Sequence, residues 1–152
     1  YQTPYVCITG GEPLLQKETL SLMTQLCELN YKVSLETSGN LSCAAVDARV
    51  KKIIDVKTPD SGEPTSFSQE NLRFCDRDTE FKFVICSEKD FLWSEDFAQK
   101  NGLFKKSNVL YSPSFGKIEP RQLAEMILRA RSPARMQLQL HKFIWPAEAR
   151  GV

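Results

Sequence analysis

The chain has 152 residues, 41% of them hydrophobic, and a formal net charge of +1 at pH 7. This length and apolar content can bury one core, so we expect a single domain over residues 1–152. Acidic and basic residues are interspersed, which argues against a nucleic-acid-binding surface. No apolar run is long enough to cross a bilayer, so we expect no membrane-spanning segment.

Five cysteines are spread along the chain, and even the two nearest, Cys75 and Cys86, are far apart in sequence. The wide spacing excludes a C-x-x-C pair, so none of the cysteines is predicted to bind zinc or an iron–sulfur cluster. Scattered, unpaired thiols are typical of a reducing compartment. We therefore predict a cytoplasmic protein whose cysteines are buried and free.

Strand and helix patterns alternate along the chain. Alternating or continuous apolar residues predict strands at 4–9, 32–36, 52–56, 80–86, 109–112 and 135–141. Apolar residues at helical spacing predict helices at 15–30, 69–75, 88–100 and 120–130, with a short helix or turn near Val46 and a long loop at 58–66. Repeated βα units predict a parallel sheet with outer helices. Six strands are too few for a complete barrel, so we expect an α/β fold that is a partial TIM-type barrel or an open parallel sheet.

The most specific local signal is the sequence TGGEPLLQ at residues 9–16, between a predicted strand and a predicted helix. Gly10 and Gly11 let a ligand approach the backbone closely. Glu12 follows them at the carboxyl end of a strand, where ligands bind in parallel α/β sheets. A carboxylate beside bare backbone carbonyls suits a cationic group such as an ammonium. A tight turn with an incidental acid is the alternative for so short a motif.

Polar or glycine-rich positions recur directly after the predicted strands. In a parallel sheet they would share one edge and form a pocket for a large polar ligand. They are residues 9–12, residues 36–39, Asp55 with Lys57 and Thr58, residues 112–114, and His141 with Lys142. Each has an ordinary alternative: Glu36 as a surface acid, Lys57 as a solvated lysine, residues 112–114 as a turn, and His141 as a structural histidine.

Residues 5–13, YVCITGGEP, resemble the second strand and Gly-Gly-Glu-Pro motif of radical S-adenosylmethionine enzymes. The segments LETSG (35–39), DVKTP (55–59), KFVI (82–85) and QLQLHK (137–142) follow in the order shown by the 7-carboxy-7-deazaguanine synthase family. The similarity extends over essentially the whole chain. It implies a reduced barrel, smaller than the usual core of a radical enzyme.

The resemblance implies a lyase that contracts the ring of 6-carboxy-5,6,7,8-tetrahydropterin to 7-carboxy-7-deazaguanine, with loss of ammonia, in queuosine and 7-deazapurine biosynthesis. It implies S-adenosylmethionine, a [4Fe-4S] cluster and Mg²⁺ as cofactors. The partners it implies are the pterin substrate, an electron donor such as flavodoxin or ferredoxin, and a second copy in a homodimer.

The resemblance also implies roles for individual residues, although it identifies no catalytic one. The residues it places at the cofactor are Gly10, Gly11, Glu12, Glu36, Asp55, Val56, Lys57, Ser112, Pro113, Ser114 and Phe115. The residues it places at the substrate are Thr9, His141 and the terminal carboxylate of Val152. Many relatives have Ser-Pro-Lys where this chain has Asp55, Val56 and Lys57, so only the lysine of that segment is kept.

The family's C-x-x-x-C-x-x-C cluster loop, with the hydroxyl residue after it that meets Mg²⁺, is absent from this sequence. We therefore expect no metal ligand in this chain. Because that loop normally precedes the Gly-Gly-Glu strand, we expect an N-terminally truncated fragment that is inactive by itself. Two alternatives stay open. One is a cluster-free S-adenosylmethionine-binding module, and the other is a metabolic enzyme that uses Glu12, Lys57 and His141 for acid–base chemistry.

Overall fold

The computed structural model describes residues 2–63, 66–146 and 148–149. Their strands are β1 (Tyr5–Ile8), β2 (Lys32–Thr37), β3 (Lys51–Asp55), β4 (Glu80–Ile85), β5 (Asn108–Pro113) and β6 (Arg135–Met136). Each strand pairs in parallel with the next one along the chain. All six carboxyl ends therefore lie at the same edge of one open sheet, which confirms the predicted partial barrel.

Four helices lie between successive strands, and a fifth follows the last strand. They are α1 (Thr19–Glu28), α2 (Glu88–Lys100), α3 (Leu103–Lys106), α4 (Pro120–Ala130) and α5 (His141–Ile144), with 3₁₀ turns at Pro13–Leu15, Pro59–Ser61 and Gln69–Arg73. The predicted bounds of α2 and α4 are confirmed, whereas α1 begins later than predicted. In the described part of the chain, no helix combines the length and the apolar character needed to cross a membrane.

Local capping explains where α2 and α4 begin. The Ser87 hydroxyl accepts a hydrogen bond from the Asp90 amide at 3.2 Å, which satisfies one free N–H in the first turn of α2. At α4, Glu119 and Gln122 form a reciprocal capping box, and Pro120 occupies the first helical position. These signals lie within a few residues of one another, so the sequence alone could reveal them.

The core lies on one face of the sheet. Alternate residues along β2 and β4, including Leu35, Phe81 and Phe83, are fully buried. They belong to the same buried cluster as Met23 of α1 and Phe91 of α2. Because side chains alternate between faces along a strand, the residues between them face away from this core. That second face is polar, and it positions the site described below.

The predicted final strand, residues 135–141, is largely wrong. Only Arg135–Met136 is a strand, and His141 begins α5. The last ladder bond joins the Gln137 amide to the Tyr111 carbonyl at 2.9 Å. The next donor in a parallel ladder would be the amide of residue 113, but Pro113 has no N–H. The β5–β6 ladder therefore ends there, although the apolar alternation continues in the sequence.

All five cysteines are free thiols, as predicted. Only Cys27 and Cys43 are buried, however, and Cys7 is exposed. The prediction that the cysteines are buried is therefore confirmed for Cys27 and Cys43 and wrong for Cys7, whose strand, β1, lies at the edge of the sheet. Cys75 and Cys86 are partly buried.

Candidate functional site

The glycine turn after β1 leaves its backbone open to a ligand. Gly10 has a φ of 97° and Gly11 a φ of 56°, in the region that side chains other than glycine's rarely adopt. A Cβ placed on either residue would meet no atom within 4 Å. The turn follows a strand at the carboxyl edge of the sheet, as predicted, and it exposes Thr9 and both glycines.

The Glu12 carboxylate is engaged by the protein itself. Its oxygens accept hydrogen bonds from Thr37 Oγ1 at 2.8 and 2.9 Å, and from the Ser38 amide at 2.8 Å. The Ser38 hydroxyl and the Leu14 amide donate to it as well. These protein donors engage both oxygens of the carboxylate that the sequence suggested would suit a cationic group. Glu12 fixes the glycine turn to the segment that ends β2.

This environment favours the ionised form of Glu12. Burial raises the pKa of Glu12, but hydrogen bonds from Ser38, Leu14 and Thr37 outweigh that effect and leave the pKa below its ordinary value of 4.5. The carboxylate is therefore charged at neutral pH, and each of these hydrogen bonds is charge-assisted.

The loop that supplies Ser38 packs closely against β3 at Gly39. Gly39 has a φ of 74°, and a Cβ there would lie 2.9 Å from Ile54 Cγ2 and 3.1 Å from the Asp55 carbonyl oxygen. Fully buried Asn71 donates to the carbonyls of Gly39 at 3.1 Å and Leu41 at 3.0 Å. Asn71 could not be recognised from the sequence, because its partners lie about thirty positions away.

Two adjoining cavities open at the carboxyl edge of the sheet, each of about 200 Å³. The first, which we call the edge cavity, is lined by Thr9, Gly11, Glu36, Thr37, Ser38, Ile53, Asp55, Lys57 and Lys82. The second is lined by Asp55, Val56, Lys57, Thr58, Ser61, Val84, Cys86 and Ser114. Asp55 and Lys57 line both, so the structure brings most of the predicted residues of β1, β2, β3 and β5 to one place.

Asp55 lies between the two cavities with half of its carboxylate unused. Its Oδ2 accepts a hydrogen bond from Lys57 Nζ at 2.7 Å. Among the described residues, Asp55 Oδ1 and Ser112 Oγ are the buried side-chain oxygens or nitrogens without a hydrogen-bond partner. A buried unpartnered polar atom costs about 1–3 kcal/mol, so such atoms often mark where a ligand or water completes the site.

Other predicted residues lie apart from the edge cavity. Pro113 and Phe115 line a separate, more apolar cavity of about 170 Å³ with Phe143 of α5. His141 is exposed at the first position of α5 and lines none of these three cavities. Its displacement follows from the early end of β6. Val152 lies outside the described residues.

Lys82 is the main lining residue that the sequence analysis did not single out. It lies in the middle of β4 between two buried phenylalanines, Phe81 and Phe83. Strand alternation places it on the polar face, and its Cα pairs in register with that of Asp55. The alternation was visible in the sequence, but the pairing with β3 was not.

A larger cavity, of about 420 Å³, lies elsewhere, between the beginning of α2 and the exposed side of α4. Its lining includes Lys117, Gln122, Glu125 and Arg129, which are largely surface residues. It contains none of the residues predicted to bind cofactor or substrate. Position at the strand ends, rather than volume, therefore identifies the edge cavity as the candidate site.

The described residues do not fit a metal cluster. They contain no group of three or more His, Cys, Asp or Glu side chains placed to hold a metal ion. The thiols of Cys7, Cys43 and Cys86 lie in different environments, exposed, buried and half-buried respectively. A [4Fe-4S] cluster needs several converging thiolates, so no step of a reaction can be assigned to cluster ligands in these residues.

The chain is similar in sequence to several curated 7-carboxy-7-deazaguanine synthases. It is 45% identical to a 7-carboxy-7-deazaguanine synthase from Chlorobaculum tepidum, with 100% of this chain and 70% of the relative aligned. It is 42% identical to one from Koribacter versatilis, over 95% of this chain and 70% of the relative. A third, from Methanospirillum hungatei, is 41% identical over 92% of this chain and 58% of the relative. No protein-family model matches the chain.

Solved structures share the fold. QueE from Escherichia coli matches with a TM-score of 0.71 and 19% identity, over 91% of this chain and 57% of that one. Streptococcus suis SuiB bound to S-adenosylmethionine matches with a TM-score of 0.62 and 16% identity, over 88% of this chain and 37% of that one. The chain thus spans about 70% of its first curated relatives and just over half of QueE. From the sequence identity and coverage of those relatives, the chain belongs to the 7-carboxy-7-deazaguanine synthase family, a family of lyases.

Proposed function

We propose that the full-length protein converts 6-carboxy-5,6,7,8-tetrahydropterin to 7-carboxy-7-deazaguanine with release of ammonia, as a step of queuosine and 7-deazapurine biosynthesis. The observation that carries this proposal is the 45% identity to the Chlorobaculum tepidum synthase over the whole chain. The position of the edge cavity supports it, because ligands bind at the carboxyl ends of the strands in parallel α/β sheets.

We propose that S-adenosylmethionine binds along this edge. The open backbone at Gly10 and Gly11 leaves room for its methionyl end. The unpartnered Asp55 Oδ1, on a residue that lines both cavities, can accept a hydrogen bond from an ammonium or a hydroxyl group. When bound, S-adenosylmethionine supplies the chemistry of hydrogen-atom abstraction.

This chain's residues would then act by binding and orientation. Glu12 holds the glycine turn in place through Ser38 and Thr37, and Lys57 holds Asp55 with one oxygen directed elsewhere. For the iron–sulfur cluster and Mg²⁺, the described residues offer no suitable set of ligands. We place those ligands in the part of the relatives that this chain does not span.

The remaining partners are proposals at the level of the family. We propose the carboxylated pterin as substrate, flavodoxin or ferredoxin as electron donor, and a homodimer as the assembly. The cytoplasm, as the compartment, is supported by the five free cysteines.

The test is turnover by the full-length protein, reconstituted anaerobically with iron and sulfide and given S-adenosylmethionine, a reductant, Mg²⁺ and the pterin. We expect 7-carboxy-7-deazaguanine and ammonia to form, and only with iron present. Binding of S-adenosylmethionine without turnover would favour a cluster-free binding module. Product formed equally well in iron-free protein would contradict radical chemistry.

A further inference from the structure

The Lys82 side chain is directed into the edge cavity by its two neighbours in β4. Phe81 and Phe83 are both 0% exposed, so they fix which face of this strand packs on the core. Lys82 therefore faces the polar side, where it lines the cavity and is half-buried. The long stem of a lysine at this position can lie along the sheet while its ammonium group reaches the cavity.

The Lys82 charge is not balanced by the nearest acid. Asp55, whose Cα is in register with that of Lys82, has its ion pair with Lys57 instead, at 2.7 Å. Glu36 also lines the cavity, but it lies on β2, two strands away from β4. Within the described chain, the Lys82 ammonium group has no ion pair or hydrogen bond, although burial of a charge favours an opposite charge nearby.

We propose that Lys82 binds the carboxylate of a small molecule in the edge cavity. This inference rests on the proposed function, whose two ligands each carry one carboxylate: the pterin acid and the methionyl group of S-adenosylmethionine. A lysine ammonium is a compact charge suited to a single carboxylate. Such an interaction would fix the orientation of the bound molecule relative to Asp55 and Lys57.

Distance across the sheet favours the pterin as the source of this carboxylate. The glycine turn follows β1, and β4 is the third strand beyond β1 in the sheet. With strands about 4.8 Å apart, the backbone of β4 lies roughly 14 Å from that of β1 along the sheet. Gly11 and Lys82 line opposite ends of the same cavity, so a carboxylate on a second ligand between them lies nearer to Lys82 than one held at the turn.

The test is calorimetric binding under anaerobic conditions to the full-length protein and its Lys82→Gln variant. Four ligands are compared: 6-carboxy-5,6,7,8-tetrahydropterin, 5,6,7,8-tetrahydropterin, S-adenosylmethionine and decarboxylated S-adenosylmethionine. We expect Lys82→Gln to weaken binding of the carboxylated pterin about tenfold or more, and to change binding of the unsubstituted pterin less than twofold. Lys82→Arg, which keeps the charge, should retain most of the affinity.

Lys105→Gln is the matched control, because it removes the same charge from an exposed position in α3. It should leave all four affinities unchanged, and melting temperatures should show that every variant is folded. If Lys82→Gln weakens S-adenosylmethionine but not its decarboxylated form, Lys82 binds a carboxylate and the source is the cofactor.

Two results would overturn the proposed role of Lys82 while leaving the proposed function intact. In one, Lys82→Gln weakens binding of each carboxylated ligand and of its counterpart without the carboxylate equally. In the other, it changes the affinity for neither carboxylated ligand. Failure of the unmodified protein to bind either acid would instead contradict the proposed function, and with it the role of Lys82.

Discussion

Glu12 accepts hydrogen bonds from Thr37 and Ser38, which lie about 25 positions further along the chain, and so joins the ends of two neighbouring strands. The sequence identified Glu12 as a site residue but not as an acceptor for these donors. Local patterns place residues at strand ends, whereas the pairing of one strand end with another depends on the sheet. The sequence therefore predicted Thr9, Asp55 and Lys57, which lie at or just after strand ends. It did not predict Asn71, whose hydrogen-bond partners are distant in sequence.

Replacing Glu12 with Gln should destabilise the chain. An amide keeps one acceptor oxygen and adds an NH₂ group that faces the hydroxyl and amide donors of Thr37 and Ser38. We expect a loss of about 2 kcal/mol in the free energy of unfolding, measured by urea denaturation. Glu18→Gln, at an exposed position, is the control and should change it by less than about 0.5 kcal/mol.

The same carboxylate should make stability depend on pH in the acid range. Because the pKa of Glu12 in the folded chain is below its ordinary 4.5, its contribution is complete above that pH and is lost as the pH falls through the folded value. The difference in unfolding free energy between the unmodified chain and Glu12→Gln should therefore shrink as the pH falls below 4.5. If the difference between the two unfolding free energies stays constant as the pH falls, the lowered pKa of Glu12 in the folded chain is contradicted.

Gly39 and Gly62 offer a comparison between a crowded and an open glycine. Both have positive φ, 74° and 86°, but a Cβ on Gly62 would meet nothing within 4 Å, whereas one on Gly39 would meet Ile54 at 2.9 Å. Gly62→Ala should cost about 1 kcal/mol from backbone strain alone. Gly39→Ala should cost at least about 1 kcal/mol more, as measured by chemical denaturation. Equal losses of unfolding free energy in the two variants would show that the segment after β2 shifts to accommodate the added methyl group without destabilising the chain.

At the scale of elements, the bounds of α2, α4 and the first five strands were predicted to within one residue, whereas those of α1 and β6 were not. The start signals of α2 and α4, Ser87 and Pro120, act on amides in the same turn and can be recognised locally. The end of β6 is decided by Pro113 on another strand, so the alternating sequence after Met136 gave the wrong answer. A strand persists only while its neighbour supplies partners.

Asp90 joins α2 to the loop after β3 and should be the most sensitive polar residue of this helix. It is fully buried, and its carboxylate accepts hydrogen bonds from the amides of Asp60 and Cys86, both at 3.0 Å. Asp90→Ala leaves both amides unpaired, so we expect a loss of about 2–4 kcal/mol in unfolding free energy.

Asp96→Ala is the matched control for Asp90→Ala on the same helix. Asp96 is exposed and paired only with Lys100, at 2.7 Å and four residues apart, so its removal should cost less than about 0.5 kcal/mol. Thermal unfolding of the two variants side by side gives the comparison. Losses of similar size would contradict the role given to Asp90.

At the scale of the whole molecule, the parallel order of six strands brings residues distant in sequence to one edge. The α/β class and the open, partial barrel followed from the number and spacing of βα units. The contents of the cavity required the register of β3 against β4, which places Lys82 beside Asp55. We propose that this edge, and not the larger cavity beside α4, holds S-adenosylmethionine.

A crystal structure of the full-length protein with S-adenosylmethionine tests that claim most directly. We expect the methionyl group against the turn of Gly10 and Gly11, with a polar group of the ligand at Asp55 Oδ1. Ligand bound in the cavity lined by Lys117 and Arg129, with no ligand at the edge of the sheet, would contradict it.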